Sequence, residues 1–112
     1  MAKLTCRLRG RYAEILTAIE KEILEGSVSA TLEDRDDFTF GDVRCSVRVF
    51  ERYSWSGGNR LSMNVTLFGN DDGSEISVIT AGGSQAMFFK INTWGEETFL
   101  QCIEPVLAKY RA

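Results

Sequence analysis

Apolar positions in this chain recur with two different periods, and the switches between them mark out its elements. Leu4, Cys6 and Leu8 alternate with Thr5 and Arg7, which predicts a short half-buried strand closing at Gly10. From Arg11 the period lengthens. Tyr12, Ile15, Leu16, Ile19 and Ile23 recur every three or four residues, predicting an amphipathic helix over 11–25 with Gly26 as its left-handed C-cap. Period two returns at Val28, Ala30 and Leu32. The acidic run Glu33-Asp34-Arg35-Asp36-Asp37 then interrupts as a solvated loop or strand end, before Phe38 and Phe40 resume the alternation and Gly41-Asp42 turns the chain. In the longest strand pattern Val43, Cys45, Val47, Val49, Glu51, Tyr53 and Trp55 share one face, and Arg44, Ser46, Arg48, Phe50, Arg52 and Ser54 the other. Ser56-Gly57-Gly58-Asn59 is a turn signal, and Leu61, Met63, Val65 and Leu67 follow as the inward positions of a partner strand, so the two runs form a long antiparallel hairpin.

A second turn at Asn70-Asp71-Asp72-Gly73 precedes the alternating Ile76, Val78 and Thr80, and Ala81-Gly82-Gly83-Ser84 ends that pattern. Residues 86–91 are apolar but too short a run to separate strand from helix. Thr93 and Glu96 have the spacing of a capping box, and Phe99, Cys102, Ile103, Val106, Leu107 and Tyr110 form the stripe of a last helix. Pro105 inside that stripe costs about 3 kcal/mol in an unbroken helix, which predicts a kink near Gln101-Cys102 or two short helical pieces. The order is β-α-β-β-β-β-(β)-α. It implies an α+β fold in two layers, one curved antiparallel sheet packed against helices, with residues 1–112 forming one domain.

Composition narrows the functional classes. Thirteen basic and 16 acidic side chains leave a net charge of −3, which supplies no general attraction for phosphate backbones or anionic membranes. No run approaches the roughly 20 apolar residues of a membrane span, and the first residues lack the apolar core of a signal peptide. Cys6, Cys45 and Cys102 are widely spaced and odd in number, as expected of reduced thiols in a cytoplasmic protein.

With no histidine in the chain, Ser-His-Asp, Cys-His and HExxH chemistry is excluded, and neither of the usual glycine-rich nucleotide loops is present. Any catalysis would fall to Lys, Tyr, Ser, Cys or carboxylates such as Glu51. The acidic groups Glu33 to Asp37 and Asp71, Asp72 and Glu75 match no calcium loop and read as turn chemistry and solvated charge, so no metal or cofactor is expected. Arg44, Arg48 and Arg52, with Phe50 among them, read as the solvent face of the sheet. An anion or a partner could meet them there, and nucleic acid is a lesser alternative given the net charge.

The stretches Ile79 to Ser84 and Phe88-Phe89-Lys90-Ile91-Asn92-Thr93-Trp94-Gly95-Glu96-Glu97 resemble the C-terminal half of small uncharacterised proteins of Gram-positive bacteria. The resemblance implies a bacterial cytosolic protein of the domain-of-unknown-function type and carries over no catalytic residue. The expectation is therefore a non-enzymatic binding or interaction domain that forms homo-oligomers. A small apolar or amphipathic ligand would sit between sheet and C-terminal helix, near Glu51, Tyr53, Trp55, Gly82, Gly83 and Trp94. The alternatives are a histidine-free enzyme using carboxylates and a nucleic-acid-binding sheet.

Overall fold

A computed structural model describes residues 1–27, 29–53, 60–82 and 96–112. Five strands, β1 (Ala2–Leu8), β2 (Thr31–Phe40), β3 (Val43–Tyr53), β4 (Arg60–Asn70) and β5 (Gly73–Gly82), form one curved antiparallel sheet in the order β1-β5-β4-β3-β2. Helix α1 (Tyr12–Gly26) crosses between β1 and β2; residues 96–101 are helical, and α2 (Glu104–Tyr110) follows after a two-residue turn. The expected fold class is the one observed. Pro105 lies in the first turn of α2, where its missing N–H costs nothing, so the stripe is cut into the two short pieces its position predicts. The region 86–91, the turn at 56–59 and Thr93 lie outside the described residues.

The core lies between one face of the sheet and the helices. Leu8, Phe50, Met63, Val65, Leu67, Ile76 and Val78 rise from the strands to meet Tyr12, Ile15, Ile19 and Ile23 of α1 and Phe99, Ile103, Val106 and Leu107 of the C-terminal segment. Burying such side chains at roughly 1.5–3 kcal/mol each is what holds the two layers together.

Two local expectations are corrected. Residues 33–37 are part of β2, paired with β3 throughout apart from a register shift between Leu32 and Asp34. The acidic side chains tolerate this because β2 is an edge strand, where charge stays in water and also discourages pairing with other chains. Gly26 is the last residue of α1 and has no positive φ; the chain leaves the helix through an extended Ser27. The left-handed glycine belongs instead to the β2–β3 turn, where Gly41 has φ 65°.

Candidate functional site

The strand register sorts every functional candidate onto one of two faces, and β3 lies the opposite way from the sequence expectation. Ser46, Arg48 and Phe50 are buried beneath the helices, and Phe50 is wholly inaccessible. The arginine face is therefore the covered one. Its three guanidinium groups fasten the layers. Arg44 stacks on the ring of Tyr12 at 4.5 Å, Arg48 donates to Glu20 Oε2 at 2.6 Å, and Arg52 donates to Ser27 Oγ at 3.1 Å while stacking on Phe99 at 4.5 Å.

The match is one of periodicities. Arginines four residues apart along a strand are spaced by about 13–14 Å. Tyr12 and Glu20 are about 12 Å apart along α1, and Ser27 follows just past its end. Successive arginines thus meet the start, the middle and the exit of α1. Arg48, 4% exposed, also bonds Asp37 at 3.1 Å and the carbonyl of Val47 at 2.9 Å. Burial works against its charge, but the hydrogen bonds to Glu20 and Asp37 outweigh this and raise its pKa. Desolvation likewise pushes the Asp37 carboxyl up, yet bonds from Ser46 and Arg48 hold it below the usual value.

Helix α1 also borrows its first-turn partner: the Tyr12 amide donates to Asp71 Oδ1 at 2.8 Å, since Arg11 provides no side-chain cap. The Tyr12 hydroxyl bonds Ser46 Oγ at 2.9 Å and donates to the Leu67 carbonyl at 2.7 Å, and burial raises its pKa.

Of the expected ligand residues, Glu51, Tyr53 and Gly82 are described. Glu51 and Tyr53 lie on the far face of the sheet beside Arg60, which pairs with Glu51 and stacks on Tyr53 at 5.7 Å. Gly82 faces the helices, its amide donating to the buried Glu96 carboxylate, which also pairs with the Met1 ammonium. Trp55, Gly83 and Trp94 lie outside the described residues. Between sheet and helices lie the core side chains. A cleft of about 520 Å³ opens at the far end of the sheet, around Arg7, Arg9, Asp72 and Glu75, with the Ser74 hydroxyl, which has no hydrogen-bond partner among the described residues, buried beside it. Charges of both signs line it, so it selects no ligand class.

The other face of the sheet is where unusual chemistry collects. An antiparallel sheet with one covered face normally presents polar groups on the other. Here β3 presents Val43, Cys45, Val47 and Val49, all partly exposed. Phe38 and Phe68 flank Cys45 in the register, each 54% exposed, and Phe40, paired with Val43, is 88% exposed. Ile79 extends the apolar stripe onto β5.

Charge flanks the apolar stripe: Lys3 on β1 and Asp34 and Asp36 on β2 at the edges, Glu75 on β5, and Glu51 and Arg60 at one end of β3 and β4. One transverse row runs Lys3, Ile79, Asn64, Val49, Asp34, and the next runs Thr5, Ser77, Thr66, Val47, Asp36. Lys3, Asp34 and Asp36 form no ion pair among the described residues, whereas Arg7 is held by Glu75 at 3.0 Å. Burial, with Asp36 and Asp37 nearby, pushes the Cys45 thiol above its ordinary pKa and keeps it protonated. The sequence alternation contained this stripe but gave no sign that it faced outward.

No group of metal-ligating side chains is assembled among the described residues, and no described helix is long and apolar enough to cross a membrane. No curated protein and no solved structure matches this chain. Its likeness is to a set of sequences that spans this whole fold from β1 to the end of α2: the chain belongs to DUF6054, a family of unknown function whose model matches residues 1–111.

Proposed function

We propose that this protein is a non-enzymatic interaction domain that binds another protein surface through the open face of its sheet. The observation that carries the reading is the partly exposed stripe of Val43, Cys45, Val47, Val49, Phe38 and Phe68 on a face where polar residues are the rule. Apolar area at the centre with charge at the rim is the anatomy of a protein contact. The distribution of charge defines the partner: its centre is apolar, with a cation opposite β2 and an anion opposite β1. Three free cysteines fit the reducing interior of a bacterial cell as the place of action.

Cys45 reports on the face directly, because it lies in the middle of the stripe. A thiol-reactive probe applied to intact cells should label Cys45 at least several-fold more slowly than it labels the purified, dilute protein. Cys6 and Cys102, on the helix side, serve as internal references and should keep their relative rates. Equal labelling of Cys45 in both settings would overturn the reading.

A further inference from the structure

We infer that the partner is a second copy of this chain, its open face laid on the first with the two-fold axis parallel to the strands. The inference rests on the open face being the contact surface and goes further by fixing who covers it and in what orientation. A two-fold along the strands exchanges the two edges, laying β1 of one copy over β2 of the other and β5 over β3, while β4 lies over itself. Lys3 then faces Asp34 of the second copy, and Ile79 faces Val49, because the register places all four in one transverse row. Every such contact is made twice, as a two-fold interface requires.

Strand β4 lies on the axis, so each of its open-face residues meets its own copy. Ser62, Asn64, Thr66 and Phe68 are hydroxyls, an amide and an aromatic ring, each able to pair with itself, and Arg60 at the strand's start, which also meets its own copy, carries Glu51 as its counter-ion. The other face-to-face two-fold, perpendicular to the strands through the row of Thr66, sets Asp36 against Asp36 and Lys3 against Arg7, both repulsive. Charge therefore selects the parallel axis.

The size also fits. Five strands at 4.7–4.9 Å and four rows at about 7 Å give roughly 650 Å² of projected area per copy, before the relief of the side chains is added. A standard interface buries about 800 Å² per partner.

The test is sedimentation of the full-length protein over a concentration series, with circular dichroism confirming that each variant is folded. Wild type should sediment as a dimer, and Val47→Asp, which sets carboxylates into the apolar centre, should weaken association more than about a hundredfold. Lys3→Glu should raise the dimer dissociation constant about tenfold, and Lys3→Glu/Asp34→Lys should bring it back towards wild type.

A monomer at all concentrations would overturn the second copy as partner, and so would a dimer indifferent to Lys3→Glu but broken by Val47→Asp overturn the axis. Both leave the open face itself in play, to be judged by Cys45 protection in cells. A dimer indifferent to Val47→Asp would overturn the contact surface together with the arrangement built on it.

Discussion

On one side of β3, Arg48 and Phe50 are shut beneath α1; on the other, Val47 and Val49 stay partly open to solvent. These neighbours differ by one residue in sequence and by the thickness of a sheet in surroundings. Polarity does not decide which goes in. Arg48 goes in because Glu20 and Asp37 balance its charge and, with two backbone carbonyls, accept from its Nε and Nη1. Val47 is left out because its face has no layer of its own chain over it among the described residues. The pair teaches that a side chain's environment follows from what the opposing surface offers.

The contrast can be broken hardest at Phe50. Phe50→Ala should cost about 3–5 kcal/mol by opening a cavity in the packed layer, against less than about 1 kcal/mol for Val49→Ala, read by urea unfolding of dilute protein. A smaller effect is expected at Arg48. Arg48→Met keeps much of the volume but strands Glu20 and Asp37, whose side chains are 26% and 53% exposed and so still reach water; about 2 kcal/mol should be lost. The control on the open side, Arg7→Met, removes an exposed pair and should change stability by less than about 0.5 kcal/mol.

An effect of similarly small size sharpens the same comparison by pH. The carboxyl of Asp37 has a folded pKa below its unfolded one, so its contribution is full above the ordinary aspartate range and is lost as the pH falls through the folded value. Wild type should exceed Asp37→Asn in stability by well under about 1 kcal/mol at neutral pH, and the two should converge below about pH 4.

Much of this architecture was legible in the residues. Tyr12, Ile15, Ile19 and Ile23 identify α1 by spacing alone, Asn70 to Gly73 name their turn, and Pro105 announces the break before α2. Alternation along β3 also sorted its residues correctly into two sets. It could not tell which set faces the helices, because a strand's period of two is blind to its partner. Arg44 is exposed, but the burial of Arg48 and the partial burial of Arg52 were illegible for that reason: the acid that receives Arg48 lies on α1, 28 residues away, and the hydroxyl that receives Arg52 lies 25 away. The acidic run reads in sequence as a solvated loop or strand end, and its place inside β2 is not visible there because an edge strand needs only one paired side and can carry charge on both faces. The candidate site was hidden in the same way, its apolar members visible but counted as core.

The ends of α1 have a consequence in time. The helix has no side-chain cap of its own and no basic residue in its last turn. Its first amide is met by Asp71, 59 residues further along, and its exit residue by Arg52. A 15-residue helix is marginal in water by itself. As the chain emerges from the ribosome, α1 is made early but can be secured only when β3 and then the β4–β5 turn have followed it out. Until residue 71 is available α1 lacks that partner, and the closure of so long a span, rather than the helix that begins it, is expected to limit folding.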